Sequence, residues 1–300
     1  MAADRCEFVI EGEAIGLRLD QALAACVPDL SRRRARVAIE LGGVFVDARR
    51  TKVAGRLMRK GERVVVHLGG ALGRASGEVG AKARAKDEAR LPPFEVLFED
   101  EEIVVVDKPA GLLTAPTPES DRGNLQWLLE QREGNRSRIY VVHRLDLGTS
   151  GVLVFAKTPH ANRVLSDRFR AHDLEREYLC IVEGVFPDGV TRLDTPIAGK
   201  VAVTHVRVEE HLGARATYLR CRLETGRTHQ IRIHCAGAGH PLAGDAAHGS
   251  RLIAAPRPAL HATRLAFPHP RTRELLSFER PWPAELNALL SRLRSEPAPQ

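Results

Sequence analysis

Hydrophobic and polar residues follow a helical period near the amino end of this chain of 300 residues. Four apolar residues from Leu17 to Val27 approximate helical spacing, which predicts a short amphipathic helix that Pro28 interrupts. Ser31 is the expected N-cap of a second helix, which carries arginines on one side and ends at a glycine pair, residues 42–43. Two short apolar runs, residues 44–46 and 61–66, then predict strands. The pattern therefore indicates two helices and a small sheet.

From Phe94 onward the pattern changes to short strands that are separated by turns. Strands are predicted at residues 94–98, 103–107, 140–142, 152–155 and 178–182, a hairpin at 205–210 and 217–224, and helices at 124–132 and 159–171. This order is typical of a larger mixed α+β domain.

The chain divides where large apolar side chains become rare. Residues 69–91 run through glycine, alanine and alternating charges, which is the composition of a flexible linker. We therefore predict a first domain at residues 1–68, a linker at 69–92, a second domain at 93–290 and a tail at 291–300.

Charge distinguishes the two predicted domains. The formal net charge is +7 and the isoelectric point is about 9.5. Residues 16–68 contain twelve lysines and arginines against five acids, an excess equal to that of the whole chain. This segregation favours a polyanionic partner such as a nucleic acid, although a solvated basic face is the alternative.

Cysteine usage and the amino-terminal sequence indicate the compartment. The five cysteines are scattered and form no C-x-x-C pair, which fits a reduced cytosol better than a zinc site. The sequence shows neither a signal peptide nor a run of apolar residues that could span a membrane. We expect a soluble, cytoplasmic protein, with a monomer as the default.

The first domain resembles the small RNA-binding domain named after a ribosomal small-subunit protein, the S-four-like domain. The resemblance rests on Arg-Leu-Asp at the first helix, Ser-Arg at the second, and the segments 42–47 and 60–64. In that family the second helix presents its basic face to RNA. The resemblance implies that Arg32, Arg33 and Arg36 bind RNA.

The densest group of polar residues in the second domain is the segment 143–151, HRLDLGTSG, which lies between two predicted strands. A polar loop with two glycines between hydrophobic strands can hold a carboxylate in a fixed position. By itself, an aspartate such as Asp146 in this setting is more often a turn or capping residue than a catalytic one.

H-R-L-D followed by T-S-G between two strands resembles the signature of the RluA family of pseudouridine synthases. Matching segments cover nearly all of residues 94–290, at 107–112, 176–179, 226–232, 241–245, 260–262 and 267–270. The resemblance implies an α+β fold with a mixed, largely antiparallel sheet, and isomerisation of uridine in structured RNA. The length and the accessory domain resemble those members that act on large-subunit ribosomal RNA more than the shorter members that lack the domain, which makes that RNA the expected partner.

The same resemblance implies that Asp146 is the nucleophile. An aspartate is ionised at neutral pH and needs no histidine to activate it, so His143 is dispensable as a base. The residues leave open whether the carboxylate attacks the sugar, attacks the ring or assists elimination to a glycal. A guanidinium would keep the carboxylate ionised and aimed, and Arg227 is the residue that matches the family. We predict that Thr228 caps the helix that follows.

Further site residues also come from the resemblance. Tyr178 is expected to stack on the target uracil, and Arg144 to fill the gap that the flipped base leaves in the RNA, with an internal salt bridge as its alternative. Lys108 and Arg232 are expected to contact RNA, Arg232 through phosphate or in a structural role. Arg176 stands where the family usually has lysine, and His248 where it often has tyrosine.

Three alternatives accompany this interpretation. A metal site among the histidines around His229 and His234 has poor spacing for convergent ligands, and no cofactor is expected. A non-catalytic RNA-binding or ribosome-assembly protein could use the same two domains. A glycoside hydrolase normally requires two facing carboxylates, and no second acid stands out in these motifs.

Overall fold

The computed structural model describes residues 5–69, 91–118, 120–134 and 138–295, which divide into two compact units. The first unit comprises Met1–Leu91 and Ala115–Arg132, and the second comprises Pro92–Thr114 and Glu133–Gln300. Most of the predicted linker, at residues 70–90, lies outside the described residues, as do residues 296–300 of the predicted tail.

The first unit contains an antiparallel sheet of four strands in the order β1-β4-β2-β3. Its strands are β1 (Arg5–Val9), β2 (Val44–Val46), β3 (Arg49–Arg50) and β4 (Arg63–His67), and its helices are α1 (Leu19–Cys26), α2 (Arg32–Leu41) and α3 (Leu125–Arg132). Two helices and a small sheet are confirmed. The sequence pattern missed β1 and β3, and α3 comes from the segment assigned by sequence to the second domain.

Local chemistry fixes both ends of α2 as predicted. The Ser31 hydroxyl accepts a hydrogen bond from the backbone N–H of Arg34, and Gly42 ends the helix with φ of 80°, a left-handed conformation that favours glycine. Leu19, Leu23 and Ile39 turn inward and are buried in the core of this unit.

The second unit is built on a sheet of ten strands, with β10-β11-β12-β9-β13-β8-β6-β5 in order, β14 beside β13 and β7 beside β8. Of the pairs in this described sheet, only β8 with β13 is parallel, so the mixed, largely antiparallel α+β fold is confirmed. The strands are β5 (Glu95–Glu99), β6 (Ile103–Lys108), β7 (Tyr140–Val141), β8 (Ser150–Ala156), β9 (Glu175–Glu183), β10 (Arg192–Leu193), β11 (Thr204–Leu212), β12 (Ala216–Leu223), β13 (Leu260–Pro268) and β14 (Leu275–Glu279).

The helices of the second unit are α4 (Pro159–Ala171), α5 (Gln230–Gly237) and α6 (Ala284–Ser295). Helix α4 has the predicted bounds. Helix α6 continues into the segment that the sequence assigns to the tail, because Leu289, Leu290 and Leu293 are buried against the hydrophobic core. Within the described ranges, no helix combines the length and hydropathy needed to cross a membrane.

The structure shows why the HRLDLGTSG segment ends in a glycine, Gly151. It pairs with Ala262 where β8 meets β13, and its φ is 118°. A Cβ atom at this position would lie 2.2 Å from the Ala262 carbonyl oxygen, closer than real contacts allow. The segment therefore enters β8 through a point where only glycine fits.

Candidate active site

The loop between β7 and β8 carries Asp146, and neighbouring segments fix its backbone. The Thr114 hydroxyl donates to the Leu145 carbonyl at 2.9 Å and accepts from the Leu145 N–H at 3.2 Å. The Gly111 N–H donates to the Leu147 carbonyl at 2.8 Å. Residues on both sides of Asp146 are therefore tied to the segment that follows β6, which holds the carboxylate in place.

The Asp146 carboxylate lies between a cation and a histidine. Its Oδ2 accepts a hydrogen bond from Nη1 of Arg232 at 3.2 Å, and Nε2 of His229 lies 3.8 Å from the same oxygen. The Asp146 side chain retains 28% exposure, so solvent or a substrate can reach it. The arrangement gives an oriented carboxylate that is still open on one side.

Arg232 is itself held by a second acid. Its Nε and Nη2 donate to the two carboxylate oxygens of Asp245 at 2.6 and 2.8 Å. The hydrogen bonds that Arg232 donates to Asp245 raise the pKa of Arg232, so the guanidinium stays charged. His248 also contacts Asp245, with Nδ1 at 3.2 Å from Oδ1. Asp245 therefore aims the arginine that reaches Asp146.

The predicted contact between Arg227 and Asp146 is wrong in this structure. The Arg227 Nε donates to the Val201 carbonyl at 2.9 Å instead. The helix begins at Gln230, later than predicted, and the residue at its N-cap is His229 with φ of 56° and not Thr228. Arg227 therefore precedes the helix, while Arg232 lies in its first turn and faces the carboxylate.

Tyr178 lies on β9 and is 8% exposed. Burial raises the pKa of its phenol, Arg176 partly opposes this, and the nearby Asp146 charge adds to it. Because its pKa is raised, the side chain stays a protonated phenol at neutral pH and cannot take up a proton as a phenolate would. This favours the stacking role over proton removal. Arg176 is largely buried, with Nη2 donating to the Glu224 carbonyl at 3.1 Å.

His143 has a structural role. Its Nε2 accepts the Val154 N–H at 3.2 Å, and its ring stacks on Phe169 with centroids 4.3 Å apart. Burial, with a contribution from Arg176, lowers its pKa to about 3. The ring is therefore neutral at pH 7 and its acceptor nitrogen is occupied, consistent with a chemistry that needs no histidine base.

Lys108 is not placed where RNA could contact it, contrary to the expectation from sequence. The side chain is fully buried, and its ammonium donates to the carbonyls of Pro109 and Leu112 at 3.0 and 2.8 Å. Lys108 therefore fixes residues 109–112, and the Gly111 N–H of this segment binds the Asp146 loop. Burial and the Arg257 charge lower the pKa of Lys108 to about 7, against a partial rise from Asp146.

This pKa predicts a pH dependence of stability. The folded pKa of Lys108 lies well below that of an exposed lysine, so between about pH 7 and 10 the unfolded chain binds a proton that the folded chain does not. The free energy of unfolding should therefore rise with pH across this window. Chemical denaturation from pH 7 to pH 10 should show this slope in the wild type and lose it in Lys108→Met. An equal slope in the variant would contradict the assignment.

The remaining predicted RNA-binding residues are exposed. Arg144 forms no hydrogen bond or ion pair with the described residues, so the internal salt bridge considered as its alternative is not seen. In the first unit, Arg32 and Arg36 each donate Nε to Oδ2 of Asp20, at 2.9 and 2.7 Å. Arg33 is exposed on the same helix.

Asp20 forms ion pairs with Arg32 and Arg36 of this helix and so holds them in position. Its carboxylate is fully buried and also accepts from Nε of Arg18 at 3.3 Å. Burial alone raises its pKa, but the hydrogen bonds from Arg36, Arg32 and Arg18 outweigh this and hold the pKa at about 2. Because Arg32 and Arg36 use only Nε, their terminal nitrogens remain available to an anion.

Sequence reasoning missed the roles of Asp245 and Lys108 in the site. Asp245 lies in a segment that matches the family, but no local signal indicated that its carboxylate would hold Arg232. Among the described residues, no group of three or more histidine, cysteine, aspartate or glutamate side chains has the geometry to hold a metal ion.

Comparison with known proteins identifies related sequences over nearly the whole chain. The sequence profile described as RNA pseudouridylate synthase matches residues 102–237. The chain is 36% identical to ribosomal large subunit pseudouridine synthase D of Nitrosomonas europaea, over 97% of this chain and 88% of that protein. It is 38% identical to the protein of the same name from Pseudomonas aeruginosa, over 94% and 93%.

Solved structures share the fold at lower sequence identity. Human RNA pseudouridylate synthase domain containing 4 superposes with a TM-score of 0.56 at 23% identity, over 72% of this chain and 98% of that one. Human RNA pseudouridylate synthase domain containing 1 gives a TM-score of 0.53 at 23% identity, over 70% and 98%. These similarities support the mixed α+β fold of the chain.

Proposed function

This chain belongs to the RNA pseudouridylate synthase family, and we propose that it isomerises uridines of large-subunit ribosomal RNA with Asp146 as the reacting carboxylate. It is an isomerase, because pseudouridine contains the same atoms as uridine. The names of the two bacterial relatives support the choice of ribosomal RNA. The observation that carries the role of Asp146 is its carboxylate, partly exposed and held by Arg232.

The reaction moves the ribose from one ring atom to another. The bond from C1′ to N1 breaks, a bond from C1′ to C5 forms, C5 loses a proton and N1 gains one. The Asp146 carboxylate can attack C1′, attack the ring or take up a proton during elimination. Because nothing is oxidised, reduced or transferred from outside, we propose that the reaction needs no cofactor.

Arg232 and Tyr178 have separate roles in this proposal. Arg232 fixes the direction of the Asp146 carboxylate, since Asp245 holds its Nε and Nη2 while Nη1 donates to Asp146. Tyr178 contributes an aromatic face for the flipped uracil, a contact of roughly 1–3 kcal/mol per base. Arg144, which has no acceptor among the described side chains, can enter the RNA stack when the uridine leaves it.

The first unit supplies the docking surface for RNA. Arg32, Arg33 and Arg36 are exposed on one helix, α2, and the buried Asp20 carboxylate accepts hydrogen bonds from Nε of Arg32 and Arg36. Pre-oriented guanidinium groups lose less conformational entropy when they bind phosphate. We propose that this face binds the RNA backbone without reading its sequence. We also propose that the protein acts as a monomer.

Neutralising two of these arginines should weaken RNA binding and flatten its salt dependence. In Arg32→Gln/Arg36→Gln, the slope of log K against log salt should fall by about 1.5, since each phosphate contact contributes roughly 0.7–0.9. Asp20 keeps its ion pair with Arg18, so we expect this variant to fold with reduced stability, and thermal unfolding should show that it is folded under the binding conditions. Filter binding at several salt concentrations measures the slope, with the exposed Arg170→Gln as control. An unchanged slope would show that RNA docks elsewhere.

The substrate can be tested with ribosomal RNA from cells that lack this protein. Purified protein is incubated with that RNA, and pseudouridines are mapped at single-nucleotide resolution. We expect new pseudouridines in large-subunit RNA and none in small-subunit or transfer RNA. Modification confined to another RNA would make the proposed substrate wrong, and binding without any modification would favour a non-catalytic ribosome-assembly protein.

A further inference from the structure

A second arginine, Arg257, lies under the loop that carries Asp146 without touching the carboxylate. Its side chain is 9% exposed. Nη1 donates to the carbonyls of Gly148, Pro258 and Leu260 at 3.0, 3.3 and 2.9 Å. Nη2 donates to the Ser150 hydroxyl at 2.8 Å. One guanidinium thus joins the loop after Asp146 to the start of β13.

The contacts made by Arg257 complete the support of this loop. Gly111 and Thr114 hold Leu147 and Leu145 from the segment after β6, and Arg257 holds Gly148 and Ser150 from the opposite segment. The Ser150 hydroxyl also contacts Nδ1 of His261 on β13 at 2.8 Å. Asp146 lies between the two supported stretches, so its backbone position depends on both.

Glu285 on α6 fixes the orientation of Arg257. Its Oε1 accepts from Nη2 at 2.9 Å and from Nε at 3.2 Å, while its own side chain is 49% exposed. A lysine could not replace this arrangement, because an ammonium has three donors on one atom and lacks the planar fork. Burial lowers the pKa of Arg257, because desolvation in the folded state destabilises the charged guanidinium. A neutral apolar side chain packed here would carry a smaller desolvation penalty. The geometry of its hydrogen bonds, and not a gain in stability, therefore explains the arginine.

We propose that Arg257 is a positioning residue, which sets the Asp146 carboxylate against Arg232 by fixing the backbone of residues 148–150. The inference rests on the proposed function of Asp146. Loss of Arg257 should let the loop shift while the arginines of α2, which are proposed to dock the RNA backbone, remain in place. The chemical step should therefore slow, and RNA binding should not.

The test separates these two quantities by single-turnover kinetics on the large-subunit RNA. Arg257→Ala should lower the maximal rate constant by about 100-fold, the loss expected for a misplacement on the order of 1 Å, with less than a threefold change in the half-saturating enzyme concentration. Ethylguanidinium, which supplies the deleted atoms, should restore much of the rate. Sodium chloride at equal ionic strength should not.

Arg251→Ala is the matched control, because this arginine lies in the same connecting segment and its exposed side chain has no partner in the described part of the chain. It should retain the wild-type rate and not respond to ethylguanidinium. If Arg257→Ala fails to fold, Glu285→Gln decides the question. That variant should lose about fivefold in rate at an unchanged half-saturating concentration, as expected for one partly exposed ion pair. A wild-type rate in Arg257→Ala, or in Glu285→Gln if Arg257→Ala does not fold, would overturn the positioning role.

Two other outcomes have separate meanings. A raised half-saturating concentration with an unchanged rate constant would make Arg257 an RNA-binding residue and overturn the proposal. An inactive wild type would overturn the proposed function itself, and the role of Arg257 with it. Activity in the wild type and in Arg257→Ala alike would leave the function standing and remove only the positioning role.

Discussion

Asp146→Asn is expected to abolish pseudouridine formation, with a rate at least about 10⁴-fold below wild type, as for loss of a catalytic group elsewhere. Asparagine has the shape of aspartate but is a far weaker nucleophile and proton acceptor. Arg232 keeps both hydrogen bonds to Asp245, so the site should retain its form. RNA affinity should change by less than about threefold, because the carboxylate contributes to the reaction and not to phosphate contacts.

The measurement is single-turnover conversion of RNA by each purified variant, together with a filter-binding assay. The exposed Asp167→Asn serves as control, since within the described ranges its carboxylate pairs with Arg170 on the surface of α4. A rate for Asp146→Asn within tenfold of wild type would exclude the carboxylate as the reacting group.

Arg232→Gln should produce the second largest loss, about 10²- to 10³-fold in the rate constant. The variant leaves Asp146 without its guanidinium, and it also leaves the Asp245 carboxylate, 1% exposed, without its cation. Breaking a buried pair on one side costs about 3–5 kcal/mol of stability. Stability and rate should therefore fall together in this variant.

A double variant separates the two effects. Arg232→Gln/Asp245→Asn removes the uncompensated charge, so it should regain much of the free energy of unfolding while its rate stays low. Arg227→Gln should lose less than about tenfold, because the Arg227 side chain contacts the Val201 carbonyl and not Asp146. A greater loss in Arg227→Gln than in Arg232→Gln would contradict the pairing seen in the structure.

The sequence predicts those features that depend on neighbouring residues. The Ser31 cap, the end of α2 at Gly42 and the hairpin of β11 and β12 follow from side-chain types a few positions apart. The position of the Asp146 loop between two strands was also predictable, because apolar runs flank it directly.

The partners within the site were not predictable in this way. Which of Arg227 and Arg232 faces Asp146 depends on where α5 begins, and helix boundaries follow only loosely from sequence. The Asp245 and Arg257 contacts join residues far apart along the chain. Lys108 looks like a residue for RNA, but two backbone carbonyls satisfy its ammonium inside the fold. Contacts of this kind require the tertiary structure.

The most direct test of the central claim is site-resolved pseudouridine mapping of total cellular RNA. Wild-type cells are compared with a deletion strain and with that strain carrying either the wild-type gene or Asp146→Asn. We expect specific uridines of large-subunit ribosomal RNA to lose modification in the deletion, to regain it with the wild-type gene and to stay unmodified with Asp146→Asn. Restoration of those sites by Asp146→Asn, or an unchanged map in the deletion while the wild-type cells express the protein, would contradict the account.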